Sequence, residues 1–190
     1  MASQIIEFIK ELLTSFLANR TAGNTEVEIS VPIGEPKEES QGVDPIPLDW
    51  TTASSMITPH FSVGEMIALH AWNRLATEED GLTEDVKNNL VKLCNIMERV
   101  RTILGCSINT HCGFRSAKYN QEVLKSIPHD VHSMGMAIDM DANQTMTIEQ
   151  AKEKIRPHLE ELNIRMEGGT TTWIHLDFHA VGPSGREFKA

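Results

Sequence analysis

Val86, Leu90, Leu93, Met97, Val100 and Leu104 recur at steps of three and four residues. Only a helix lines such a series up on one side, so about six turns of chain must bury that side against a core. Thr83 stands where it can cap the N-terminus of this helix. Directly afterwards the period changes: Ile108, Thr110 and Cys112 alternate with Asn109 and His111. That is the pattern of a half-buried strand, stopped by Gly113 and followed by a short helix from about Ser116. A helical stripe running into a strand leaves few folds open, because each apolar face needs another to cover it.

The other elements agree with a mixed fold. Ser62-Val63-Gly64-Glu65 is a capping box that predicts a helix to about Ala76, and Thr147-Ile148-Glu149-Gln150 predicts another to about Leu162. Met136 to Met140 is a short apolar run ending in acids. Ile164–Glu167 and Trp173–Phe178 read as strands, and Gly168-Gly169-Thr170-Thr171 between them suits a hairpin. Together these predict an α+β domain: a small, mostly antiparallel sheet flanked by helices.

At 190 residues the chain has room for one such domain and an appendage. Residues 58–182 are expected to form it, with 183–190 as a tail. Ahead of it, Ile5, Ile6, Ile9, Leu12, Leu13, Phe16 and Leu17 place an apolar stripe on an amphipathic helix over 1–20. That stripe needs a partner, which is its own domain, a second copy, another assembly or a membrane surface. The intervening 21–57 contains four prolines between Thr21 and Asp49 and reads as a linker. Residues 1–20 are too charged to span a bilayer, and no basic stretch precedes them, so neither a membrane span nor a cleaved signal peptide is predicted. Synthesis in the cytoplasm is expected. Cys94, Cys106 and Cys112 lack the paired spacing of a structural zinc motif and read as reduced, buried, small apolar residues. With 17 basic against 27 acidic residues the net charge is -10, which excludes a phosphate backbone as a natural partner.

Chemistry is concentrated in three segments. In His132-Ser133-Met134-Gly135-Met136-Ala137-Ile138-Asp139 a loop His precedes a strand that carries an Asp. In Trp173-Ile174-His175-Leu176-Asp177 the imidazole and the second acid share a strand face. Gly113-Phe114-Arg115-Ser116, followed by Asn120, lies upstream. Two His and one carboxylate suffice to hold a catalytic zinc, leaving a position for water or substrate.

Taken in order with His60-Phe61-Ser62, these motifs resemble the zinc D-Ala-D-Ala carboxypeptidases and related phage endolysins. Their superfamily also includes the lysostaphin-type enzymes and the hedgehog signalling domain. The resemblance spans about His60 to Phe178 and implies a hedgehog-like, D-Ala-D-Ala peptidase-like fold. It implies one zinc ion on His132, Asp139 and His175. Arg115 would bind substrate and stabilise the oxyanion. Asn120 and Asp130 fall at substrate-binding positions, although relatives commonly carry Ser where this chain has Asp130. Many relatives place a general base three residues before the last ligand, where this chain has Thr172; others place it further upstream, which makes Glu167 the candidate here. Asp177 is the rival base, or else it orients His175 from outside the ligand shell.

The implied function is hydrolysis of peptidoglycan stem peptides, as a carboxypeptidase or an endopeptidase, with a phage lysis system or virion delivering the enzyme to the cell wall. The alternatives are a zinc-binding or peptidoglycan-binding module without turnover and a structural component of a virion. The other six His are read as structural or solvated, with His111 and His129 close enough to the motifs to line a cleft.

Overall fold

A computed structural model describes residues 48–189; the predicted amphipathic helix over 1–20 and residues 21–47 of the predicted linker lie outside them, while Leu48, Trp50 and Ile57 from the end of that linker pack against the core. The described chain is mixed α/β. A hairpin of β1 (Met56–Thr58) and β2 (Phe61–Ser62) leads into α1 (Val63–Ile67), and a second hairpin joins β3 (Ala68–Leu69) to β4 (Arg74–Leu75). The long helix α2 (Glu84–Leu104) is followed by β5 (Asn109–Cys112), α3 (Ala117–Glu122), β6 (Ala137–Asp141) and α4 (Ile148–Ile155). Strands β7 (Arg165–Glu167), β8 (Ile174–Asp177) and β9 (Glu187–Phe188) complete it.

The main sheet has the order β5-β6-β8-β7-β9, antiparallel throughout except for the parallel β7–β9 pair. Its alternation divides it into two faces. Ile138, Met140, Met166, Ile174 and Leu176 are fully buried on one face, in the same core as Leu90, Leu93, Met97 and Val100 of α2. Burying each such side chain contributes about 1.5–3 kcal/mol. Residues of the opposite parity, among them Asp139, His175 and Glu167, point to the other face. Helix α2 thus serves as the platform behind the site, fixed at its ends by Thr83, which accepts from the Val86 N–H, and by Gly105 at φ +73°.

Three expectations need correction. The capping box at Ser62 is present, but its helix ends at Ile67 rather than near Ala76. Beyond it the chain folds into the β3–β4 hairpin, where the Ala71 N–H donates to the Tyr119 hydroxyl and Trp72 packs edge-on against the Tyr119 ring. Helix α4 ends at Ile155 rather than Leu162, because Pro157 has no N–H to continue it and the chain tightens into a 3-10 turn. The simple alternation read over 108–112 is broken by a bulge between Thr110 and Cys112. In addition, β9 falls within the segment read as a tail and joins the sheet beside β7.

Two glycines hold the loops of the site against these elements. A Cβ at Gly113 would lie 2.5 Å from the Met66 carbonyl oxygen, and one at Gly135, where φ is +68°, 2.7 Å from that of Val86. Both neighbours are backbone and cannot swing aside. Gly113→Ala and Gly135→Ala are each expected to cost about 1–3 kcal/mol. The loss should show as a lower denaturant midpoint with an unchanged slope; parental stability in either variant would contradict this packing.

Candidate metal centre

Register, rather than sequence proximity, assembles the site. Cys112 on β5 pairs with Asp139 on β6, and Asp139 pairs with His175 on β8. Arg165 and Met166 on β7 pair with Asp177 and Leu176, so extending that register by one residue sets Glu167 opposite His175. Directly paired residues share a face. One transverse row across the sheet therefore carries a thiol, a carboxylate, an imidazole and a second carboxylate.

His132 reaches this row from the loop between α3 and β6. That loop is tied by the Asp130 carboxylate, which accepts the Ser133 N–H at 2.9 Å, and by the Ser133 hydroxyl, which donates to the Asp130 carbonyl at 2.7 Å. Gly135 then turns it into β6, and the Met136 N–H closes on the Val131 carbonyl. As a result His132 is 1% exposed.

Two imidazole nitrogens and the two oxygens of Asp139 converge. His132 Nε2 lies 3.3 Å from His175 Nδ1 and 3.4 Å from Asp139 Oδ2, and His175 Nδ1 lies 2.8 Å from Asp139 Oδ1. The outward-facing nitrogens also have partners. His132 Nδ1 is 2.7 Å from the Gly113 carbonyl oxygen, and His175 Nε2 is 3.4 Å from Asp177 Oδ2. Asp177 has no exposed surface; Arg165 grips it through two bonds of 2.8 and 2.9 Å, and the His179 N–H donates to it.

These contacts shift the protonation of the group. Burial opposes ionisation of Asp139, but hydrogen bonds from His132 and His175 outweigh it and hold the carboxyl well below its usual range. Burial likewise opposes a charged His175, yet Asp139 and Asp177 prevail and raise its pKa to about 9. The Cys112 thiol is pushed up to about 12 by burial, against the pull of Arg115.

The remaining expected site residues divide. Arg115 is within the cleft, donating to Asp130 at 3.0 Å and lying 3.6 Å from Asp139. Asp130 and Glu167 line the same cleft, which has a volume of about 410 Å³, with Trp173 and the 64%-exposed Ile127 among its walls. Asn120 is not in it: fully buried, it donates to the Pro128 carbonyl and so anchors the loop that carries Asp130 and His132. His111 is turned outward onto Asp141, and His129 is exposed. A larger groove of about 590 Å³, bounded by Trp50, Leu75, Leu82 and Lys87, has neither His nor Cys in its lining.

Cys112 and Arg165 are the site residues the sequence reading missed. Sγ of Cys112, a ring nitrogen of His132 and a carboxylate oxygen of Asp139 all lie within 4.8 Å of one another, a group able to hold a metal ion. Arg165 had one available signal, its position two residues before Glu167 on the same strand face. No protein-family model, curated protein or solved structure matches the chain. Among the described residues no helix is long and apolar enough to cross a membrane.

Proposed function

We propose that the chain is a zinc metallopeptidase that hydrolyses peptide bonds in peptidoglycan stem peptides, built on the hedgehog and D-Ala-D-Ala peptidase type of fold. His132, Asp139 and His175 hold the ion. The reading is carried by the two imidazoles, each of which turns one nitrogen to Asp139 and the other to a protein acceptor. Metal-binding His characteristically uses its second nitrogen in this way, to fix tautomer and ring orientation. The donor set also fits in size. A tetrahedral zinc with bonds of about 2.0–2.1 Å sets its ligands about 3.3–3.4 Å apart, and His132 Nε2 is 3.3 Å from His175 Nδ1 and 3.4 Å from Asp139 Oδ2. The other Asp139 oxygen, Oδ1, lies 2.8 Å from His175 Nδ1, a hydrogen-bond length.

Zinc bound there would polarise a carbonyl and bring the pKa of water down towards about 7. The protein's own groups complete the chemistry. Glu167, opposite His175 in the sheet, takes a proton from the attacking water and delivers it to the leaving amine. Arg115 presents a fixed cation to the substrate oxygen that gains charge, and Asp130 holds that guanidinium in the cleft. Arg165 acts through Asp177, keeping the His175 ring in place. Trp173 and Ile127 offer apolar walls to a peptide side chain. A phage lysis system or virion brings the protein to the wall, and residues 1–20 attach it to a further assembly or to a second copy.

One observation favours a second reading. Cys112 is within reach of His132 and Asp139, and four protein ligands characterise structural zinc sites. On that reading the protein is a zinc-stabilised peptidoglycan-binding module, or part of a virion, without turnover. Muropeptide mass spectrometry after incubation of peptidoglycan with the zinc-loaded protein separates the two. Stem peptides shortened by a terminal D-amino acid or cut internally are expected; an unchanged muropeptide profile would favour the module.

A further inference from the structure

A bulge in β5 decides which side chain meets the metal cluster. Thr110 pairs with Met140 on the core face, and unbroken alternation from there would set His111, not Cys112, opposite Asp139. The extra residue instead sends His111 outward to Asp141 and brings the Cys112 thiol across from Asp139. Bulges re-aim side chains in this manner beside functional sites.

We infer that Cys112 is a fourth protein ligand, its sulfur occupying at rest the position that water or substrate takes during turnover. This rests on the metal reading above. Thiolate sulfur is a strong zinc ligand, with bonds of about 2.3 Å that place sulfur about 3.6 Å from a ligating nitrogen. Sγ, a ring nitrogen of His132 and a carboxylate oxygen of Asp139 all lie within 4.8 Å of one another, and rotation about χ1 carries the sulfur toward the ion. The Gly113 carbonyl is already common to both sides: it accepts from His132 Nδ1 at 2.7 Å and faces Cys112 Sγ at 3.7 Å. When the sulfur–metal bond forms, the thiol proton leaves to solvent and no electron is transferred. Opening the site reverses this, and sulfur takes up a proton as it departs. Cys94 is fully buried in the core, and Cys106 lies against the Ala142 carbonyl, so neither joins the cluster.

Titration of cobalt(II) into the full-length protein, followed by absorption spectroscopy, tests the ligand without relying on activity. The expected spectrum has visible d–d bands together with a near-ultraviolet thiolate-to-cobalt charge-transfer band. Cys112→Ser and Cys112→Ala should lose the charge-transfer band, keep d–d bands and bind cobalt at least tenfold more weakly, while Cys106→Ser keeps the full spectrum. Bound cobalt with d–d bands and no charge-transfer band in the unaltered protein would overturn the sulfur ligand and leave the His, Asp and His site standing. A charge-transfer band that survives both Cys112 replacements would also overturn it. Failure to bind cobalt at all would remove this inference and the metal reading together.

Discussion

Asp139→Asn and His175→Ala are each expected to weaken zinc binding by a factor of several hundred and to abolish hydrolysis at micromolar zinc. The size follows from the ion's own energetics. Structural zinc sites are worth about 10–16 kcal/mol, so one ligand of four represents about 2.5–4 kcal/mol, or roughly two to three decades in affinity. His132→Ala should behave alike, since its Nε2 is within 3.4 Å of both other donors. Competition against a chromophoric chelator measures the loss. The same experiment has a defined pH response. In the metal-free protein His175 holds its proton up to about 9. Zinc has to displace that proton, so His175 alone should make affinity fall by up to about tenfold for each unit below this value, and release of the Cys112 proton adds to the dependence. Affinity that stays flat between neutral and alkaline pH would argue against His175 as a ligand.

The second large effect is expected at Glu167. Glu167→Gln keeps the shape of the side chain but cannot accept a proton, and hydrolysis should drop by about 10²–10⁴-fold, the usual range for a lost general base. Zinc affinity should change little, because Glu167 belongs to the opposite strand and not to the converging donors. Unaltered hydrolysis by this variant would remove Glu167 from the role and leave Asp177 as the rival. The geometry bears against that rival, since both Asp177 oxygens are engaged by Arg165 and the residue has no exposed surface.

Much of this architecture was legible in the chain because it depends on neighbours in sequence. The stripe from Val86 to Leu104 names its own helix, and the buried positions of α2 include every member of it. Capping boxes at Ser62 and Thr147 mark true helix starts, because a start is a local hydrogen-bond pattern. Helix ends were less readable. Pro157 gave a local signal that should have stopped α4, whereas beyond α1 the chain turns into a hairpin whose Ala71 N–H is held by Tyr119, 48 positions away. The convergence of His132, Asp139 and His175 was anticipated from the motifs they stand in. Cys112 was not, because a bulge is a property of how β5 pairs with β6, and alternation along 108–112 assigned that thiol to the core. Asn120 shows the converse: a motif position was legible, but its burial and its bond to the Pro128 carbonyl, which anchors the loop, were not.

The central claim is that three side chains distant in sequence share a single divalent ion. Crystals grown with zinc and measured at the zinc absorption edge test it most directly. One anomalous peak is expected about 2.0–2.1 Å from His132 Nε2, His175 Nδ1 and an Asp139 carboxylate oxygen. A zinc-saturated crystal with no peak between these atoms, or with its ion bound elsewhere on the domain, would contradict it.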